Sequence, residues 1–409
     1  MTRVTIFAIL IALFCLTNEL VSSDSNYCYS DDEHPYLCAG TKTAYEVEHG
    51  LIKNTTLPNC KPVQIWMLIR HGTRNPEKNQ IKNFEEIFLL CQKDLEKLKS
   101  WKLDPNLNKH RSKYLTTQGE KDLSSLGARF KDYFPELLQS YPVDTLKQKY
   151  KFRSTDLQRT IASMENFING LFGNVTIDNT VVVPTSEDTL LQVDKNINIL
   201  NKLISRINYR QRALIDQLDL DDVLIMYTAC IFENAWHVDE RSAWCAAFTK
   251  DEDELFEYKE DLYYYYHASY GEKMSSAIGC PPLQDIKLEN EDSGEEPQGI
   301  FYFTHSTALQ LLLTTMGVAK DSIPLQASNF ENMRNRKWNS SRLVPFAANL
   351  AAIFYRCDSS NKVSFYLNEK PLDYEGCDLG VCDWEYLKKK MGSKAFDCNT
   401  EFCKADTTE

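Results

Sequence analysis

PVQIWMLIRHGTRNP, residues Pro62 to Pro76, is the stretch from which the rest of this chain can be understood. From Val63 to Ile69 it is nearly continuous in apolar, β-branched and aromatic residues, the composition of a strand buried on both faces of a sheet. The apolar run stops abruptly, and Arg70, His71, Gly72, Thr73 and Arg74 follow. A buried strand that delivers two guanidiniums and an imidazole at its carboxyl end, with a glycine allowing close backbone approach, has the make-up of an oxyanion site at the mouth of an α/β sheet. Phosphate is the natural occupant.

Two further blocks share this design. Lys151 to Thr160 reads KFRSTDLQRT and precedes Ile161, Met164, Phe167, Ile168 and Leu171, an apolar face at helical spacing. Ser154, Thr155 and Asp156 are candidate N-caps for that helix. Gly299 to Phe303 reads as a buried strand that ends at Thr304-His305, and Ser306 to Met316 continues as an apolar helix with Gly317 as its C-cap. Apolar strand, polar turn with His, helix: the order is that of the first block.

Arg70-His71-Gly72 alone is a weak signal. Together with Thr73 to Pro76, the Arg-Ser-Thr-Asp-x-x-Arg-Thr motif from Arg153 to Thr160, and His305 at its strand-to-helix junction, it resembles the histidine phosphatase superfamily, most closely the multiple inositol polyphosphate phosphatase branch. Tyr36 to Tyr45 (the family's N-terminal arm), Leu115 to Gly119 and Ser341 to Leu350 extend the resemblance over most of the chain. It implies that His71 is a nucleophile forming a phosphohistidine, that His305 is the second active-site histidine, and that Arg70, Arg74 and Arg159 hold phosphoryl oxygens. Arg153 is then a structural residue or one just outside the phosphate contacts. The family follows its second histidine with Asp or with Ala-Glu, which protonates the leaving alcohol. Here Ser306 and Thr307 occupy those positions, and hydroxyls are poor general acids near neutral pH. The expectation is a secreted phosphomonoesterase acting on inositol polyphosphates, with weakened general-acid catalysis; the alternative is a catalytically impaired phosphate-ligand binding protein.

Residues 1 to 23 combine Arg3, an apolar core from Val4 to Leu16 and the small residues Val21-Ser22-Ser23, as in a secretory signal peptide. No later segment has the length and apolarity of a membrane span. Of 13 cysteines, all but Cys15 lie beyond the signal, which favours disulfides over zinc, with connectivity unreadable. Cys377/Cys382 and Cys398/Cys403 are close enough to join locally, yet each could tie the tail to the core. Sequons at Asn54, Asn174 and Asn339 predict N-glycans, and the C-terminal ADTTE lacks a retrieval signal, so secretion or a lysosome-like compartment follows. A net charge of -12 argues against nucleic acid or anionic membrane as a partner, though not against an anionic ligand in a locally basic cleft. Neither cofactor nor metal is expected.

The predicted fold is α/β: a mixed-sheet sandwich core with an inserted, mainly helical cap, stapled by disulfides. Core residues 24–175 precede a cap at 176–295, and the core resumes at 296–409 with a Cys-rich tail. Helical periodicity runs through Phe84 to Leu98, Leu123 to Phe130, Val193 to Leu214 and Val223 to Trp236, and LENEDSGEEPQ (288–298) reads as an exposed loop. Lys109 to Lys113 is a basic patch best explained as solvated surface, and the aromatic run Tyr263 to Tyr266 as packing within the cap.

Overall fold

The computed structural model describes residues 39–91, 101–177, 180–184, 220–248, 250–286, 297–396 and 398. The predicted signal, Val193 to Leu214 and most of the acidic loop lie outside them. Strand β1 (Cys60–Arg70) is central, parallel to β4 (Gly299–Thr304) on one side and antiparallel to β5 (Asn349–Cys357) on the other. Beyond β4 come β2 (Tyr150–Thr155) and β3 (Val181–Val183), both parallel. Beyond β5 come β6 (Lys362–Leu367), β7 (Lys370–Pro371) and β8 (Val381–Asp383), all antiparallel additions. The result is an eight-stranded mixed sheet, of which β3 forms one edge although it follows residue 175.

The alternation of side chains along a strand divides the core in two. Ile65, Met67 and Ile69 face α2 (Thr117–Tyr133) and α3 (Gln158–Phe172), packing with Leu123, Leu126, Phe130, Met164 and Phe167. Trp66 and Leu68 face the opposite layer, with Leu309, Leu312 and Leu313 of α6 (Ser306–Met316) and Tyr258, Leu262 and Tyr265 of α5 (Lys250–Ala268). Both faces of β1 are therefore buried, the reason its sequence does not alternate. A third apolar cluster joins α1 (Lys78–Cys91) to α4 (Leu220–Trp236), with Phe84, Phe232 and Trp236 among its members.

Disulfides Cys60–Cys357, Cys230–Cys245, Cys280–Cys398 and Cys377–Cys382 close the fold. Of the two close pairs, Cys377 joins Cys382, whereas Cys398 reaches back to Cys280 and so ties the tail to the 176–295 segment. Gly317 ends α6 in the left-handed region, at φ 87°.

Three expectations are corrected. Ser154 and Thr155 belong to β2, and the residue preceding α3 is Leu157, which has no capping side chain. The strand outruns the turn because Thr155 is fully buried, its hydroxyl against that of Thr160 at 2.7 Å. Helix α1 begins at Lys78 rather than near Phe84. Asn339 is buried, its Nδ2 donates to Glu257 at 3.0 Å and its Oδ1 accepts from the Arg342 backbone at 3.1 Å, so the folded chain offers no room for a glycan there. Asn54 and Asn174 are exposed. The basic patch is surface: Lys109 pairs with Glu85 and Lys113 with Glu77.

Candidate active site

Parallel register brings the functional side chains to one edge of the sheet. Arg70 at the end of β1 stands opposite Thr304 at the end of β4, so the residues that follow, His71 and His305, emerge side by side. The His71 backbone N–H donates to the Thr304 carbonyl at 2.9 Å, and the two rings meet edge to face with centroids 5.5 Å apart. Arg159 arrives in the first turn of α3, just after the neighbouring β2 ends.

The turn after His71 is clamped against the start of α2. A Cβ on Gly72 would lie 2.6 Å from the Gly119 carbonyl, and one on Gly119 would lie 2.2 Å from the Thr73 carbonyl, so two backbones touch here. The Thr73 N–H and hydroxyl donate to Asp122 Oδ2 at 3.1 and 2.7 Å, and the Thr116 hydroxyl donates back to the Thr73 carbonyl at 2.9 Å. Burial pushes the Asp122 carboxyl up to about 6, against the opposing pull of the Thr73 and Gln118 bonds.

A cleft of about 230 Å³ opens above this edge, lined by Thr41, Lys42, Arg70, His71, Arg74, Leu157, Arg159, Tyr264, His305 and Ser306. All five residues singled out as phosphate-handling, Arg70, His71, Arg74, Arg159 and His305, are on its wall; Arg153 is not. Ser306 lines the cleft as well, whereas Thr307 is buried in α6 away from the lining. No carboxylate is among the described residues that line it.

The His71 tautomer follows from its contacts. Its Nδ1 lies 2.9 Å from the Gly72 carbonyl, which can only accept, so Nδ1 carries the hydrogen and Nε2 keeps its lone pair. Burial holds the imidazole well below its ordinary range, and Arg159, Arg70, His305 and Arg74 lower it further. The ring is thus neutral within a cationic pocket. Arg70 is fixed by donating from Nη1 to the Thr41 and Val344 carbonyls at 2.7 and 2.6 Å, with its guanidinium 4.7 Å over the Phe346 ring. Burial brings it down to about 9, which leaves it charged at neutral pH. Arg74 donates to the Asn75 carbonyl at 2.7 Å and lies 5.7 Å over Phe232 of α4, while Trp236 of the same helix donates to the Arg74 carbonyl at 3.2 Å. A neutral nucleophilic nitrogen amid fixed cations can attack phosphorus and stabilise the equatorial oxygens as charge redistributes.

Sequence reasoning missed Thr41, Lys42 and Tyr264 as lining residues. The arm holding Thr41 and Lys42 is latched by Glu260 of α5, which accepts from the Thr41 N–H at 3.2 Å, the Thr41 hydroxyl at 2.6 Å and Lys42 Nζ at 2.7 Å. Gly40, at φ 55°, permits the approach: a Cβ there would sit 1.8 Å from Glu260 Oε2. Glu260 and Tyr264 are four residues apart and share a helix face, the one signal that could have drawn Tyr264 from the aromatic run. Its neighbour Tyr265 does pack in the core.

The family described as histidine phosphatase superfamily (branch 2) matches residues 63–203 and 194–368 of this chain. Multiple inositol polyphosphate phosphatase 1 of Drosophila melanogaster is 32% identical, over 97% of this chain and 94% of its own. The Homo sapiens protein of that name is 26% identical, over 91% and 90%. Among solved structures, the phytase from D. castellii superposes with a TM-score of 0.72 at 17% identity, covering 90% of this chain and 86% of its own. A Bifidobacterium longum multiple inositol polyphosphate phosphatase in complex with inositol hexasulfate gives 0.62 at 12%, covering 91% and 100%.

Proposed function

This chain belongs to branch 2 of the histidine phosphatase superfamily, and on that premise we propose that it is a phosphomonoesterase that hydrolyses inositol polyphosphates through a phosphohistidine at His71. The observation that carries the proposal is the His71 ring, Nδ1 tied to the Gly72 carbonyl, in one cleft with Arg70, Arg74, Arg159 and His305. His71 Nε2 attacks phosphorus in line, and the bond to the leaving oxygen breaks with its electron pair. Arg70, Arg74, Arg159 and His305 hold the equatorial oxygens. Water then attacks the phosphohistidine and returns the ring to its starting state. Lys42 at the rim of a cationic cleft suits a substrate bearing several phosphates better than a simple monoester.

Rapid quench with labelled substrate should trap an acid-labile phosphoenzyme in the wild type and none in His71→Ala. Turnover undiminished in His71→Ala would sink the assignment. A second reading, ligand binding without turnover, draws on the lack of a carboxylate among the described lining residues. Incubation with inositol hexakisphosphate and with an aryl phosphate, followed by a free-phosphate assay from acidic to neutral pH, separates the two: binding with no release from either substrate favours the binder. Export is part of the same proposal, supported by the disulfides and by exposed sequons at Asn54 and Asn174.

A further inference from the structure

We propose that the phenol of Tyr264 donates the proton to the leaving alcohol, a role that Ser306 and Thr307 cannot fill. The inference rests on the phosphatase reading above. In-line displacement puts the leaving oxygen across the phosphorus from His71. Besides His71, Arg70 and His305 at the ends of the core strands, the cleft is lined by Thr41 and Lys42 of the arm and Tyr264 of α5, whose hydroxyl and ammonium groups are the candidates for meeting that oxygen. Of these, the Thr41 hydroxyl is engaged with Glu260, and the Lys42 ammonium is held by both Glu260 and the Thr41 hydroxyl. The Tyr264 hydroxyl has no hydrogen-bond partner among the described residues. Other tyrosines of α5 are committed: Tyr258 donates to the Gln326 carbonyl and Tyr266 to that of Leu325, each at 2.8 Å.

Chemistry favours the same group. A phenol, ordinarily near pKa ~10, is a far stronger acid than the aliphatic hydroxyls of Thr41 and Ser306. Tyr264 lines the same cleft as Arg70 and Arg74, so its hydroxyl sits in the cavity that holds the phosphoryl-binding cations. As the P–O bond breaks, its electron pair passes to the leaving oxygen, which takes the proton from Tyr264 Oη. In the second half-reaction, the water that attacks the phosphohistidine gives a proton to the phenolate and the phenol is restored. Nothing is oxidised or reduced, and the protons balance over the cycle.

The test is a leaving-group series, from 4-nitrophenyl phosphate through phenyl and alkyl phosphates to an inositol phosphate, measured as single-turnover phosphoenzyme formation in wild type and Tyr264→Phe. Loss of a general acid costs about a hundredfold to ten-thousandfold in rate. Tyr264→Phe should approach that loss on alkyl and inositol phosphates and fall far less on 4-nitrophenyl phosphate, whose phenolate departs unaided, so the plot steepens. A solvent deuterium effect present in the wild type should vanish. Ser306→Asp, which puts a carboxyl on the cleft wall, should restore alkyl phosphate turnover when added to Tyr264→Phe. Equal loss across the series would overturn the proposal and make Tyr264 a binding or packing residue. Phosphoenzyme formed from 4-nitrophenyl phosphate shows that the variant site is folded. Failure to trap phosphoenzyme even in wild type would instead overturn the phosphatase reading.

Discussion

Replacing Gly72 by Ala tests how His71 is held. The new methyl carbon would stand 2.6 Å from the Gly119 carbonyl oxygen and 2.6 Å from Leu123 Cδ2, and 2.9 Å from Gly119 Cα. Ordinary contact begins near 3.4 Å, so the turn and the start of α2 must part by most of an ångström. Two of the three obstacles are backbone, and that backbone is pinned by the bonds among Thr73, Thr116 and Asp122, so no side-chain rotation relieves the clash. Overpacking of this kind costs about 1–3 kcal/mol in stability. The kinetic effect should be larger, because His71 immediately precedes the forced turn and a displacement of ~1 Å at a reacting group costs about a hundredfold. Urea unfolding and phosphoenzyme formation from 4-nitrophenyl phosphate, measured on the same preparation, should show modest destabilisation with a rate loss near two orders of magnitude. A variant within threefold of wild type in rate (roughly 0.7 kcal/mol of barrier) would refute the idea that the Gly72–Gly119 contact positions the nucleophile.

Three other outcomes are expected. Because the folded-state value of His71 lies below its ordinary one, the ring stays neutral as pH falls through ~6.5, so the acid limb of kcat/KM assigned to the free enzyme should fall below that point. The sign for stability agrees: this group's contribution is present above ~6.5 and is lost as acid forces a proton onto the buried ring. Asp122 has the opposite sign, its folded value of about 6 being above the ordinary 3.8, so its contribution declines as pH rises from ~4 through ~6; Asp122→Asn should therefore gain on wild type between pH 4 and 7.5, by up to about 3 kcal/mol in urea melts. Lys42→Ala should raise KM for inositol hexakisphosphate roughly ten- to a hundredfold, the worth of a charge-assisted hydrogen bond, with a smaller effect on an aryl phosphate; equal changes on both would show that Lys42 does not meet a remote phosphate.

Sequence alone determined the α/β class, the central strand, and five cleft residues, because these are written in contiguous runs. An apolar run that stops at a polar, glycine-containing turn reads as a buried strand and its carboxyl-end turn, and Gly299 to Gly317 repeats the arrangement around His305; the parallel register of β1 and β4 then sets His305 beside His71. Tertiary structure decided what contiguity cannot carry. Thr41 and Lys42 reach the cleft only because Glu260, more than two hundred residues later, latches the arm to α5. Tyr264 faces the cleft while Tyr265 fills the core, and that choice is a matter of helix rotation against the sheet, which four consecutive tyrosines leave undetermined. The exclusion of Asn339 as a glycan site and the pairing of Cys398 with Cys280 likewise depend on which distant segments meet. A local pattern specifies backbone state and one buried face, enough to show that Ser306 and Thr307 replace the carboxylate after His305; the identity of the partner across space is set by packing of the whole chain, and only there does Tyr264 appear in the same cleft.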